Sequence, residues 1–187
     1  MNKNFLTGIL FALCIGCLSG LSCASAQDAD VSDEYEIKTR FIFHFVKFTR
    51  WPKQRLQNRK KPIIIGFISE FANSNSLFKL KHIRIRGRKI LVRKVRHPND
   101  LNDCNVLYID MKDRVLIRKY LNLIRGKSIL TIGDAKDFIR MGGTINFLRD
   151  TKKRLRFEVG LYTATDSGLK LSSKLLKSAK NIYKKKE

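Results

Sequence analysis

Between residues 34 and 183 the apolar positions follow two different spacings. Residues 34–51, EYEIKTRFIFHFVKFTRW, set Ile37, Phe41, Phe45 and Phe48 on one face at about 100° per residue, widened by Ile42 and Val46, which predicts a helix ended by Pro52. Phe43 falls on the opposite side, among Arg40, Lys47 and Arg50. Residues 62–69, PIIIGFIS, form a continuous apolar run of the kind a strand buried on both faces requires. A short helix is expected over 70–81. Residues 82–98 alternate Ile83 and Ile85 with Arg84 and Arg86, turn near Gly87 and resume to Val95, the pattern of a hairpin.

After a loop at 98–103, the run NVLYID at 105–110 reads as a second buried strand, and 113–125 as a helix presenting Val115, Leu116, Tyr120, Leu123 and Ile124, stopped by Gly126. Residues 128–132 return as a strand, and a short helix is expected after it, with Asp134 and Asp137 as caps and Gly142-Gly143 as the turn out. Residues 144–147 and 154–159 pair as an antiparallel hairpin across a turn at 150–153, where Glu158, Arg154 and Arg156 share one side, expected as a solvated sheet face, the other reading being a salt-bridged ladder. A second helix follows, and residues 172–183 close the chain as an amphipathic helix with Leu175, Leu176, Ala179, Ile182 and Tyr183 inward and Lys174, Lys177 and Lys180 outward. Strand, helix, strand, helix, strand predicts an α/β fold: one domain whose mostly parallel mixed sheet is covered by helices on both faces, with an antiparallel hairpin near the C-terminus.

The amino terminus belongs to a different class of segment. Lys3, an apolar run from 5 to 21 and the small-x-small triplet Ala24-Ser25-Ala26 make residues 1–26 a secretory signal peptide cleaved after Ala26, followed by a flexible leader at 27–33. Three of the four cysteines lie in the signal segment, so Cys104 alone remains and can form no intramolecular disulfide. Beside the apolar run at 106–109 it is expected to be buried, the other reading being an intermolecular bond.

The chain carries 39 Lys and Arg against 16 Asp and Glu, a formal charge of +23. Export removes one lysine and no acid. Nine basic residues and no acid occupy 79–96, and the tail at 184–187 contains three lysines in a row. Such a field attracts polyanions. Export argues against nucleic acid as the physiological partner, and the hairpin lacks the interleaved aromatics of a base-stacking platform.

Enzyme templates fail one by one. The sequence holds no G-x-S-x-G, H-E-x-x-H or G-x-x-x-x-G-K-[ST] element, and His44, His82 and His97 are scattered without a thiol neighbour. No metal or cofactor is expected, and no catalytic residue is assigned.

Several segments, in order, resemble the YfiR-like family of periplasmic proteins: 38–52 (KTRFIFHFVKFTRWP), 104–109 (CNVLYI), 130–134 (LTIGD), Phe138, 142–147 (GGTINF), 156–159 (RFEV) and 169–179 (LKLSSKLLKSA). The resemblance spans 34–183 and implies a non-enzymatic α/β domain. It implies a repressor that contacts the periplasmic region of an inner-membrane diguanylate cyclase or related sensor, and that an outer-membrane lipoprotein can sequester. Family members often carry a cysteine in the first sheet strand, bridged to the position of Cys104. Here Gly66 follows Ile65, and that bridge is absent.

Two sets of residues carry the functional expectation. Phe43, Lys47, Arg50 and Trp51 are expected to bind the protein partner. Arg84, Arg86, Arg88, Lys89 and Arg93 are expected to bind anions. The alternative function is a basic envelope-associated structural or adhesion protein whose basic stripe holds an anionic glycan or lipid. A homodimer is left open.

Overall fold

Period-two burial in the central strands sets the two faces of the sheet. The computed structural model describes residues 25–56, 58, 60–69 and 75–185, with side chains from 33 onward. Within β5 (Val106–Asp110), Val106 and Tyr108 enter one hydrophobic cluster while Leu107 and Ile109 enter another. Both sides of the strand are therefore dry, which is why it reads as an unbroken apolar run.

Among the described residues, eight strands form one sheet in the order β10-β8-β7-β6-β5-β2-β4-β3: β2 (Ile63–Ser69), β3 (Arg84–Ile85), β4 (Arg88–Lys94), β5, β6 (Leu130–Gly133), β7 (Ile145–Arg149), β8 (Leu155–Gly160) and β10 (Asn181–Tyr183). Strands β4, β2, β5, β6 and β7 run parallel, β3 and β8 are antiparallel to their neighbours, and β10 is parallel to β8. A separate ribbon pairs β1 (Thr49–Arg50) with β9 (Lys170–Leu171).

Helix α1 (Ser25–Phe48) lies on one face with α2 (Asn75–Phe78); α3 (Arg114–Leu123) lies on the other. The β2–α2–β4 and β5–α3–β6 connections advance in opposite directions along the sheet, so right-handed crossovers put their helices on opposite faces. Phe45 anchors the α1 layer, with its ring centroid 4.8 Å from that of Phe157 and 5.6 Å from that of Phe147.

The expected α/β architecture is observed, with local corrections. The signal peptide at 1–26 lies almost wholly outside the described residues. Helix α1 runs through 27–33, expected as a loose leader, where no glycine or proline interrupts it. Its buried stripe is Tyr35, Lys38, Thr39, Ile42, Phe45 and Val46; Ile37 is 44% exposed, because the helix there rests on the polar carboxyl ends of the central strands, which take Lys38 instead. In α3 the covered positions are Ile117, Leu121 and, just beyond it, Ile124, whereas Val115, Leu116 and Leu123 face solvent. The segment expected as a helix over 70–81 is helical from Asn75, and 70–74 lies outside the described residues.

No helix forms after β6. Residues 136–142 are turns wrapped around Phe138, whose ring is fully buried against Gly133 and Gly143. A Cβ at Gly143 would lie 2.1 Å from that ring. The glycines therefore make room for an aromatic, while Asp134 and Asp137 enter ion pairs with Lys38 and Arg114 rather than capping a helix. The expected closing helix stops at Ser178: α5 (Ser173–Ser178) gives way at Ala179 to extended backbone, and Asn181–Tyr183 adds β10 to the sheet. The β-branched and aromatic pair Ile182-Tyr183 favours that strand, and Tyr183 donates to Glu158 Oε2 at 3.1 Å. Glu158 thus pairs with Tyr183 and Asn146, and Arg154 and Arg156 both turn to Asp150, so the alternative of a ladder among the three is not formed.

Two predictions follow from this packing. Cys104 is buried, and a Cβ built at Gly66 would lie 2.6 Å from its Sγ and 2.9 Å from Val95 Cγ2. Gly66→Ala should be destabilising, whereas Gly66→Cys should oxidise to a monomer without free thiols. Its denaturant midpoint should exceed that of its own reduced form, the unfolding free energy rising by up to about 4 kcal/mol on the chain-entropy account. Two titratable thiols after oxidation would refute the alignment. At the β7–β8 turn, desolvation opposes ionisation of Asp150, but bonds from the backbone and guanidinium of Arg154 and the backbone of Lys152 hold its carboxyl down at about 2. A depressed carboxyl stabilises the fold above its unfolded pKa of about 3.9 and loses that contribution as pH falls toward 2. Asp150→Asn should therefore have a lower urea midpoint than the parent at about pH 6, and the gap should close by about pH 2.

Candidate functional site

In a parallel sheet the default place for a site is beyond the carboxyl ends of the strands, where the order reverses. Here the reversal lies between β2 and β5, which end in Ser69 and Asp110. That crevice is filled by α1. Tyr35 donates its hydroxyl to Asp110 Oδ2 at 2.6 Å, and Ser69 donates to the same oxygen at 3.1 Å. One helical turn on, Lys38 pairs with Glu34 at 2.9 Å and with Asp134, which follows β6.

Burial raises the pKa of the Asp110 carboxyl against the opposing effect of the Tyr35 hydroxyl and of Lys38. Burial disfavours the Lys38 ammonium, but Asp134 and Glu34 outweigh it and raise that pKa. Tyr108, beneath them, has a buried hydroxyl with no hydrogen-bond partner among the described residues, and burial pushes its pKa up. These groups engage one another and fasten a helix. Sequence spacing gave no sign of the cluster, because its members are far apart in the chain; the one signal available was a lysine at 38 inside an apolar stripe. No group of three or more His, Cys, Asp or Glu among the described residues could hold a metal.

The expected partner-binding and anion-binding residues converge on a different surface. Phe43, Lys47 and Arg50 from the end of α1 and β1 meet Arg84 and Arg86 from the β3–β4 hairpin in one groove, completed by Phe48, Ile85 and residues 170–173. Three links build it. Arg50 pairs with Lys170 in the β1–β9 ribbon, Ser172 donates its backbone N–H to the Phe48 carbonyl at 3.0 Å, and the Arg86 guanidinium donates to the Lys47 carbonyl at 3.0 Å. The hairpin turn is the two-residue kind that needs positive φ at both positions, with Arg86 at 51° and Gly87 at 78°. Arginine is costly there, by about 1–2 kcal/mol.

Lys47, Arg50, Arg84, Arg86 and Lys170 line the groove, and no carboxylate is among the lining residues. Its floor is apolar, with the Lys47 ammonium 6.0 Å from the Phe43 ring centre and 5.9 Å from that of Phe48, and Lys174 5.6 Å from Phe48. Such a surface can bind anions, with arginine forks suited to carboxylate or phosphate.

The remaining expected residues are elsewhere. Trp51 is half-buried and donates its indole N–H to the Asn105 carbonyl at 3.2 Å. Arg88 clamps the preceding loop by donating to the carbonyls of Leu56, Asn58 and Lys61 at 2.6–2.9 Å. Arg93 donates to the Asp100 carbonyl and lies 3.9 Å from the Cys104 thiol. Lys89 is exposed in register with Arg84. Lys170, Phe48, Ser172 and Ser173 were not expected in a site, since only folding brings them to the hairpin.

No helix among the described residues is long and apolar enough to cross a membrane. No curated protein matches the sequence. Among solved structures, a conserved domain protein from Vibrio cholerae O1 biovar El Tor is 16% identical, covering 79% of this chain and 60% of that one, with a TM-score of 0.47. An ABC domain in complex with L-Trp from Streptococcus pneumonia is 11% identical, covering 65% and 55%, also with a TM-score of 0.47. The chain therefore spans under two thirds of either structure. The family model described as YfiR/HmsC-like matches residues 35–180, from the Tyr35 anchor to the approach to β10. The chain belongs to the YfiR/HmsC-like family.

Proposed function

We propose that the protein is an exported, periplasmic regulator that represses an inner-membrane diguanylate cyclase or related sensor by docking on its periplasmic region. Family membership supports the regulatory class. The observation that carries the docking is the convergence of Phe43, Lys47 and Arg50 with Arg84 and Arg86 on one accessible groove free of acidic lining residues. Repression requires tighter binding to the inactive state of the partner, since equal affinity for both states shifts nothing. An outer-membrane lipoprotein would relieve repression by competing for the regulator.

A second reading rests on the charge of +23, far beyond what one groove uses. On that reading the basic surface retains the protein on anionic envelope glycan or lipid.

Deletion should raise cellular cyclic-di-GMP, and overexpression of the exported chain should lower it. Lys47→Glu with Arg50→Glu should abolish the fall at equal protein level. Cyclic-di-GMP that is indifferent to both deletion and overexpression would refute the regulatory reading. Envelope retention lost on charge reversal, with cyclic-di-GMP control intact, would favour the second.

A further inference from the structure

The chemistry of the groove narrows what can occupy it. Its charge comes from three separate elements, α1 with β1, the β3–β4 hairpin and β9, so it is a feature of the fold rather than of one basic run. The phenyl rings of Phe43 and Phe48 already have lysine ammoniums over them, which leaves them poor platforms for stacked bases. The groove is concave and encloses about 580 Å³, inside the range of about 300–1,000 Å³ typical of ligand clefts. A bilayer surface cannot enter such a hollow, and its headgroups would reach only the rim. A narrow, extended chain can enter it.

We infer that the groove between the end of α1, the β3–β4 turn and β9 recognises an acidic, extended peptide segment in which carboxylate and apolar side chains alternate. Such a segment is two-sided, with alternate residues facing opposite ways. Its apolar side chains would meet Phe43, Phe48, Ile85 and Leu171, and its carboxylates would meet Arg50, Arg84 and Arg86. Planar guanidinium groups suit that task because they can hold both oxygens of a carboxylate. The inference rests on the docking proposal above and adds the chemistry of the docked segment.

A chain this basic binds any polyanion weakly, so the test compares equal charge changes at different places. The probe is a fluorescein-labelled twelve-residue peptide alternating Glu and Val, measured by anisotropy with the exported chain at physiological salt. Arg50→Glu with Arg84→Glu should weaken binding at least about tenfold. Lys119→Glu with Lys136→Glu, on the opposite face of the sheet, should weaken it less than about threefold. Arg50→Gln with Arg84→Gln, with unchanged thermal melting, covers the case in which the double reversal disturbs folding. Anionic phosphatidylglycerol vesicles should respond equally to the groove and distal pairs. Equal peptide losses in both pairs would overturn the inference, as would vesicle binding that depends on the groove while peptide binding does not. A failed peptide test beside cyclic-di-GMP control that still depends on Lys47 and Arg50 removes only the peptide chemistry; control indifferent to those two residues removes the docking proposal itself.

Discussion

The helix that opens the fold also closes the place where a parallel sheet usually binds something. Tyr35 on Asp110 and Lys38 on Asp134 pin the middle turns of α1 across the carboxyl ends of β5 and β6, at a largely buried site where each charge has a partner. Breaking one such pair would strand the other, which costs several kcal/mol in general. The pin therefore fixes the direction of α1 across the sheet, and with it the position of the far end of the helix, where Phe43, Lys47 and Phe48 line the groove. One end of the helix is a plug and the other is a wall.

The carboxyl ends of the central strands are thus occupied by the protein's own helix, and the accessible charge lies on its surface instead. The exposed Val115, Leu116 and Leu123 of α3 show that the groove is not the molecule's only apolar surface. What sets the groove apart is that its charge is drawn from several elements around an apolar floor, whereas the cations beside Val115 and Leu123 all lie on α3.

Most of the sheet was legible in the sequence because a strand buried on both faces has to be apolar throughout, as in 63–68 and 106–109, and because Arg86-Gly87 and Asp150 mark turns. The covered face of α1 was misjudged at Ile37 because hydrophobicity alone cannot foresee a lysine buried with two carboxylates. The segment 134–143 looked like a capped helix, yet Gly133 and Gly143 were spaced to admit Phe138, a contact invisible to local propensity. Chain ends suffer most from this: Asn181–Tyr183 continued a helical spacing, but pairing with β8 outweighed it. Of the nine expected site residues, those on α1 and at the hairpin tip came together. Arg88 and Arg93 did not: Arg88 is drawn to the loop before β2 and Arg93 to the Asp100 carbonyl beside Cys104.

The groove's own construction bears on how it would work. Its walls are fastened by bonds that no ligand would need to make: the β1–β9 pairing, the Ser172 N–H to the Phe48 carbonyl, and Arg86 to the Lys47 carbonyl. A preassembled wall spares a ligand the ordering cost of loops, and that saving appears directly as affinity. The unfavourable φ of Arg86 fits the same account. Asparagine would satisfy the turn with less strain, but it could not span to the end of α1 or add charge to the rim. Strain held at one turn residue by a cross-strut is the expected signature of a position chosen for a surface rather than for stability. The same long-range positive field would speed encounter with an acidic partner, while the fixed cleft would decide which acidic segments are retained.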